Sequence, residues 1–320
     1  MNEKRFDTLD GLRGIAAVMV MLFHAGTRLP VRAPGGYLAV DLFFALSGFV
    51  IALAYEDRLR QGFPFSRFLI VRLIRSYPMY LVGILIGGYL YTLNPIHLLM
   101  LPDFADRYKL YPANVPMWSL IFELVVNLAY AAVATKLGNR VLVAVLLISG
   151  SAFAYGIIEA GKADLGAFWS GAGMGLIRTV FAFSLGVGIY RIRAAMGMAR
   201  RQTWLGWLLY PRLIAVLMFA PKDRTWWDIA AVFAILPGII WLGTFWEIPH
   251  PAAPLWLGHI SYPFYCIHGP ILWLHRGTVA ETLATIAGII AAAWALNRWV
   301  DPPMRRLLSA WLLPAKPKAA

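Results

Sequence analysis

Ten apolar segments run through this chain, each roughly 17–22 residues long, which is enough to cross the hydrocarbon core of a bilayer. They lie at approximately 9–27, 37–55, 76–93, 118–135, 141–158, 170–190, 203–220, 228–246, 257–275 and 279–299. Charged residues make up 14% of the chain, whereas a soluble chain carries about 25%. These features predict an all-α fold, a polytopic transmembrane helix bundle. We expect one integral membrane domain over 1–320, with a short disordered tail at about 313–320.

The basic residues predict the orientation of this bundle. When successive loops are assigned alternately to two sides, nineteen of the 29 Lys and Arg residues collect on one side and eight on the other. The positive-inside bias then places both termini in the cytoplasm. The net charge of +13 is spread over loops that face anionic lipid headgroups, so membrane lipids are the expected partners of these charges and nucleic acid is excluded.

The first apolar segment contains two ionisable residues in the run LDGLRGIAAVMVMLFH. Arg13 and His24 are eleven residues apart, which corresponds to a helical rise of roughly 16 Å. If Arg13 lies at the cytoplasmic rim, His24 lies deep in the membrane, where titratable residues usually mark a functional site. The alternative is that Arg13 is an interfacial anchor and His24 a packing residue.

Three further ionisable residues are expected at a depth similar to that of His24: Asp41, Glu123 and His268. An unpaired carboxylate in the bilayer costs several kcal/mol, so Asp41 requires a partner, and the short connection between the first two segments brings His24 within reach. Such a carboxylate would fix the imidazole tautomer. We expect the four residues to meet in a water-filled cavity. A purely structural ion pair between neighbouring helices is the alternative for His24 and Asp41.

A pair of arginines marks the cytoplasmic side of the third segment, in the run SRFLIVRLIRSYPMY. Arg72 and Arg75 are three residues apart and share one helical face. Guanidinium groups in a fixed geometry suit phosphate groups. Binding of lipid headgroups by a juxtamembrane helix explains the same pattern equally well.

Long ordered motifs in this chain resemble those of the acyltransferase family 3 proteins, integral membrane enzymes that transfer acyl groups, usually acetyl, to hydroxylated acceptors. The motifs that carry the resemblance are LDGLRGIAAVMVMLFH, GGYLAVDLFFALSGF, RLIRSYP, PMWSLIFE and LGHISYPFYCIH. Near the C-terminus the chain has VDPPMRR, in which Asp301 stands where many members have Glu, so any role for Asp301 is in doubt. The resemblance implies the stand-alone version, without an appended esterase-like domain.

The resemblance implies a multi-pass enzyme of a bacterial-type inner membrane that uses acetyl-CoA or another acyl-CoA as donor, with no permanently bound cofactor and no metal. The acceptor would be a carbohydrate or lipid-linked glycan. Arg13, Arg72 and Arg75 would bind the donor. His24, oriented by Asp41, would be the general base, although an acyl-histidine intermediate remains open. The other implied site residues are Glu123 as a catalytic residue, and Trp118, Ser119, Tyr262 and His268 in substrate binding.

A transporter is the alternative from another class, because a proton-coupled anion or metabolite carrier could use the same buried residues without covalent chemistry. Many carriers have repeated, Gly- or Pro-broken helices in corresponding halves. Here the motif-rich first 80 residues have no counterpart in the second half, which favours the enzyme. The presence of all the expected polar residues likewise disfavours an inactive relative. The sequence does not specify the oligomeric state.

Overall fold

The computed structural model describes residues 6–219, 221–274 and 277–313, and nearly all of the regular structure in them is helical. Of the tail expected at 313–320, all but the first residue lies outside the described residues. The helices are α1 Asp7–Ala25, α2 Ala39–Arg60, α3 Phe65–Leu90, α4 Met117–Val133, α5 Asn139–Ala160, α6 Ala172–Met196, α7 Leu209–Met218, α8 Thr225–Ala230, α9 Leu236–Gly243, α10 Ala252–Leu274, α11 Val279–Ala295 and α12 Asp301–Leu312.

Short π-helical and extended elements complete the fold. The π-helical turn Ala231–Ile235 joins α8 to α9, and a second turn, Leu296–Val300, joins α11 to α12. Two strands of two residues each, β1 Arg201–Gln202 and β2 Trp246–Glu247, pair in parallel at the end of the bundle that contains the start of α1. The prediction of an all-α bundle is therefore correct apart from this small sheet.

Within the described residues, seven helical stretches are long and apolar enough to span a membrane. The other three predicted spans coincide with α4, with the helix Trp204–Met218 and with α10. The first two are apolar but shorter than 18 residues. α10 has 23 residues, but three prolines and two histidines interrupt its apolar sequence. The count of ten spans and the cytoplasmic termini remain predictions.

Helix α1 lies at the centre of the bundle and is buried on two faces. Leu12 and Ala16 on one face join an apolar cluster that also contains residues of α2, α6, α7 and α9. Ala17 and Met21 on another face join a second cluster, with residues of α3, α4, α10 and α11. The middle of α1 is therefore enclosed by neighbouring helices.

The most extensive helix pair in the bundle is α1 with α10, and these two helices run in the same direction. Arg13 near the start of α1 contacts Ser261, whereas His24 near its end contacts His268. Glycines allow the close approach, since a Cβ on Gly14 would lie 2.6 Å from Leu257 and one on Gly258 would lie 2.5 Å from the Asp10 carbonyl oxygen. The two helices thus form one rigid support for groups at both of their ends.

Candidate active site

A pair of histidines lies where the ends of α1 and α10 meet. The Nδ1 atom of His24 is 2.9 Å from the Nε2 atom of His268, and the two rings are stacked with centroids 5.1 Å apart. His268 is completely buried, whereas His24 is partly exposed and has the edge of Trp273 against its ring. The structure thus brings together two of the four ionisable residues that the sequence singled out.

The hydrogen bonds of His268 define the tautomers of both rings. The Nδ1 atom of His268 is 2.8 Å from the backbone oxygen of Tyr265, and because a carbonyl only accepts, this nitrogen is the donor. A neutral His268 then has its lone pair on Nε2, which accepts a hydrogen bond from Nδ1 of His24. The Nε2 atom of His24 is therefore left with a lone pair. No described residue forms a hydrogen bond with that nitrogen.

Asp41 does not contact His24 as expected, because its partner is Arg178. The Nε and Nη2 atoms of Arg178 donate to the two carboxylate oxygens of Asp41 at 2.8 and 2.6 Å. Arg178 also donates to the backbone oxygens of Tyr37 and Leu165. The pairing of Asp41 with His24 is therefore corrected: a guanidinium in the same apolar layer is a stronger and geometrically better partner for a buried carboxylate than an imidazole.

Glu123 also lies apart from the histidines, near the middle of the bundle. Its Oε1 atom accepts a hydrogen bond from Ser47 at 2.6 Å and an ion pair from Arg72 at 3.4 Å. The side chains of Arg72 and Glu123 are 17% and 23% exposed, although each lies at least six residues inside its helix. The pair is therefore partly accessible although it lies away from the helix ends. The four ionisable residues therefore do not meet in one cavity as expected. They lie in three separate pairs, one of two histidines and two of a carboxylate with an arginine.

The arginines expected to bind the donor differ in how strongly the protein itself holds them. Arg13 pairs with Asp10 at 3.0 Å and donates to Ser261 and to the backbone oxygen of Gly258. Arg72 is held by Glu123, and its Nε atom is buried without a hydrogen-bond partner among the described residues. Arg75, in contrast, is exposed. Of the three, its guanidinium is the most accessible to a ligand.

The C-terminal motif that departs from the family pattern lies beside Arg75. Asp301 forms an ion pair of 2.5 Å with Arg305 at the start of α12, and α12 packs against α3. Arg75 is within electrostatic reach of both members of the pair. Asp301 thus retains an ionic role at this end of the bundle.

The residues expected to bind the acceptor mostly hold the scaffold in place. Trp118 is buried against Phe44 and Gly166. Ser119 is 2.7 Å from the hydroxyl of Tyr265, the residue whose carbonyl orients His268. The hydroxyl of Tyr262 donates to the backbone oxygen of Ser76. These contacts hold the helices that carry the histidine pair in position.

The sequence analysis missed the roles of Arg178, Tyr265 and Asn114. Asn114 donates from its amide nitrogen to the backbone oxygens of Gly83 and Cys266 and so ties α3 to α10. The signal for Arg178 was present, because an arginine in the middle of an apolar segment requires a buried anion. The roles of Tyr265 and Asn114 arise from backbone geometry and had no such signal.

A second histidine site lies outside the spans, in the connection between α3 and α4. Burial lowers the pKa of His97 from its usual 6.5, and the opposing effect of Asp103, 3.8 Å away, does not restore it. Burial alone would raise the pKa of Asp103, but hydrogen bonds from Asn94 and from the amides of Ala105 and Asp106 lower it. Throughout the described ranges, no three His, Cys, Asp or Glu residues are grouped to hold a metal ion.

Comparison with known proteins places this bundle in a class. Its apolar helices and intramembrane polar pairs define a multi-pass membrane protein with a histidine-centred site. The family model of the acyltransferase domain, acyltransferase family 3, matches residues 6–298, so the chain belongs to this family. It is therefore a membrane acyltransferase. No solved structure matches the chain.

Three curated relatives are similar to parts of the chain. Protein 2 in the picA locus of Rhizobium radiobacter is 36% identical over 174 residues, which are 46% of this chain and 91% of that protein. The putative membrane-bound transacylase BcsY of Komagataeibacter xylinus is 36% identical over 24% of this chain and 18% of its own length. The peptidoglycan O-acetyltransferase OatA of Listeria monocytogenes is 30% identical over 40% of this chain and 20% of its own length. The chain thus matches less than two thirds of the latter two proteins.

Proposed function

We propose that this enzyme transfers an acyl group, most simply acetyl, from cytoplasmic acyl-CoA to a hydroxyl of a carbohydrate or lipid-linked glycan on the other side of a bacterial-type inner membrane. The observation that carries the proposal is the hydrogen-bond chain from the Tyr265 carbonyl through His268 to His24. This chain leaves an unshared electron pair on Nε2 of His24, at a partly exposed position. The similarity to BcsY and OatA, named as a putative transacylase and an O-acetyltransferase, agrees with such chemistry.

His24 acts as the general base in this proposal. Its Nε2 atom takes the proton from the acceptor hydroxyl while the hydroxyl oxygen attacks the thioester carbonyl carbon. The carbon–sulfur bond then breaks, and the thiolate of CoA leaves with the proton that His24 had taken, which restores the base. His268 is a positioning residue, because it holds the His24 ring in the tautomer with a free Nε2 atom. It replaces Asp41 in the role that the sequence suggested.

The donor would enter from the Arg13 end of α1. Arg75 is exposed there and offers the phosphates of acyl-CoA an accessible guanidinium, while Arg13 and Arg72 contribute positive charge from fixed positions. The roughly 16 Å rise from Arg13 to His24 is a distance that an extended pantetheine arm can span. The partial exposure of Arg72 and Glu123 well inside their helices supports such a path. Both termini are cytoplasmic in this arrangement.

The test is acyl transfer by the full chain in nanodiscs, with radiolabelled acetyl-CoA and a glycan extract as acceptor. His24→Ala should lower the rate by at least about 10²- to 10⁴-fold, because it removes the base. His259→Ala, on an exposed face of the same helix α10, is the matched control and should retain the parental rate. Transfer by His24→Ala at a rate close to that of the parent would contradict the assignment of His24 as the base.

A further inference from the structure

A cavity of about 330 Å³ opens at the His24 end of the bundle, next to the proposed catalytic residue. It is bounded by the end of α1, the connection between α1 and α2, the connection between α5 and α6, and the residue before α8. The lining side chains that matter here are Phe23, Arg32, Tyr37, Lys162, Asp164 and Arg224.

The charged groups of this cavity are predominantly positive. Arg32, Lys162 and Arg224 line it together with a single carboxylate, that of Asp164. Lys162 lies 3.2 Å from Asp164, so this pair is internally compensated. Arg32 is exposed, and no hydrogen bond or ion pair joins its guanidinium to the part of the chain that the structure describes. Two formal positive charges therefore remain without an anion in the lining.

Arg224 is held rigidly in place by the surrounding protein. Its Nη1 atom donates to the backbone oxygen of Pro34 at 2.6 Å and to the hydroxyl of Tyr37 at 3.1 Å. The Tyr37 hydroxyl in turn donates to Asp228 at 2.6 Å, and Asp228 also accepts a hydrogen bond from the amide of Ala163. Each of these bonds uses a neutral acceptor for Arg224, so its charge is oriented but not neutralised by direct contact.

The cavity is one aromatic ring away from His24. The Phe23 ring lies 5.2 Å from the His24 ring and 5.5 Å from the Tyr37 ring, so it stands between the base and the cavity. A saccharide with one sugar at His24 could therefore place a neighbouring substituent among Arg32, Lys162 and Arg224. The site is fixed on the acceptor side of the base, away from the arginines that face the donor.

We infer that this cavity binds an oxyanion carried by the acyl acceptor, a carboxylate or a phosphate, and that the enzyme therefore acts on acidic saccharides. Guanidinium and ammonium groups form charge-assisted hydrogen bonds with such anions, and a neutral sugar gains nothing from them. The inference rests on the proposed function, because only that function makes the bound saccharide the acyl acceptor. The binding of an acidic saccharide can nevertheless be measured without turnover.

The test uses the full chain carrying His24→Ala, in nanodiscs of zwitterionic lipid, so that binding is separated from catalysis. Equilibrium dialysis would compare a radiolabelled uronic acid tetrasaccharide, its neutral hexose counterpart and a phosphorylated hexose. Arg32→Gln and Lys162→Gln each remove one charge from the lining. Lys222→Gln is the matched control, because Lys222 is exposed in the connection before Arg224 but does not line the cavity.

We expect the uronic acid probe to bind at least about tenfold more tightly than the neutral probe, and Arg32→Gln to weaken it about tenfold, with a smaller loss for Lys162→Gln and none for Lys222→Gln. The same pattern with the phosphorylated hexose alone also supports the inference and identifies phosphate as the oxyanion. Equal binding of the neutral probe, or equal losses in the control variant, would overturn it. So would the absence of binding of both acidic saccharides.

Because binding is measured in the His24→Ala protein, its outcome does not depend on the chemistry proposed for His24. If the cavity binds acidic saccharides but the His24→Ala variant still transfers acyl groups, the assignment of His24 as the base is wrong and the assignment of the cavity stands. If the cavity does not bind acidic saccharides but transfer requires His24, the assignment of the cavity is wrong and the assignment of His24 as the base stands.

Discussion

Asp41 and Arg178 share two hydrogen bonds, of 2.8 and 2.6 Å, in a layer where their side chains are only 3% and 1% exposed. The pair joins the start of α2 to α6. Arg178 also donates to the carbonyls of Tyr37, in the connection before α2, and of Leu165, in the connection before α6, so the same guanidinium holds both connections in place. The carboxylate that the sequence suggested as the partner of His24 instead fixes the position of α6 against α2. Its removal should therefore affect folding before it affects catalysis.

Asp41→Asn should destabilise the protein by about 3–5 kcal/mol, because it leaves Arg178 as an uncompensated buried charge. The measurement is the midpoint temperature of thermal unfolding in detergent. Adding Arg178→Gln should recover part of the loss, since no buried charge then remains. The comparison variant is His24→Ala, which should unfold at the parental temperature. Parental stability of Asp41→Asn would contradict a structural role for the pair.

His268→Gln should lower kcat by roughly 10²-fold with little change in KM for acyl-CoA, because His24 loses the acceptor that fixes its tautomer. The matched control is Tyr265→Phe, which removes the hydroxyl bonded to Ser119 but keeps the carbonyl bonded to His268. It should retain most of the activity. If Tyr265→Phe is as impaired as His268→Gln, the hydroxyl rather than the hydrogen-bond chain supports the site.

Arg75→Ala should raise the apparent KM for acyl-CoA about tenfold at unchanged thermal stability, because this exposed guanidinium has no bond to lose within the described protein. Arg72→Ala should raise the KM and lower the unfolding temperature as well, because Glu123 then loses its cation. Steady-state kinetics and thermal unfolding of both variants distinguish these outcomes. Arg140→Ala, an exposed residue at the start of α5, serves as the control for loss of one charge. An unchanged KM in Arg75→Ala would assign this arginine to the lipid interface.

The predicted topology can be tested with a single cysteine on each side of the membrane. Arg107→Cys, exposed in the connection between α3 and α4, should react with a membrane-impermeant maleimide added outside intact cells. Gln61→Cys, exposed after α2, should react only after the cells are opened. The parent chain controls for Cys266, which is buried. The reverse labelling pattern would place both termini outside.

Acidification should destabilise the protein through His97. Burial lowers the pKa of His97 below its usual 6.5, so below about pH 6.5 the unfolded chain takes up a proton that the folded chain resists. Stability is therefore complete above this pH and falls as pH decreases towards the folded pKa. Asp103, whose pKa is lowered, stays charged in this window. Unfolding temperatures between pH 7.5 and 5.5 should fall less in His97→Gln than in the parent, and identical slopes would refute the assignment.

The helical bundle could be predicted from the sequence because apolar segments of spanning length allow few other folds. The limits of that reasoning are visible in α10. This helix contains histidines and prolines and is not among the seven stretches that length and hydropathy identify as spans within the described residues, although it carries half of the histidine pair. Hydropathy alone therefore undervalues the helix that the site needs most.

The candidate site could be predicted residue by residue but not pair by pair. The position of each residue within its apolar segment predicted four intramembrane polar groups: His24, Asp41, Glu123 and His268. The structure places all four in contacts between helices of the bundle. Which of them meet depends on the rotation of each helix about its axis, and spacing along the chain does not determine that rotation. Arg178 shows the same limit, since its partner became clear only when α6 was placed against α2.

The parallel packing of α1 on α10 has a consequence for substrate choice. Both ends of the path from the Arg13 contacts to the His24 contacts are anchored to the same partner helix, and the backbones touch at Gly14 and Gly258. The distance between Arg13 and His24 is therefore set by two packed helices and not by a flexible loop. In the proposed mechanism this distance separates the donor entrance from the base, so the arm of the donor has to match it. We expect a side chain added at Gly14, which would push α1 away from α10, to change which donors are used.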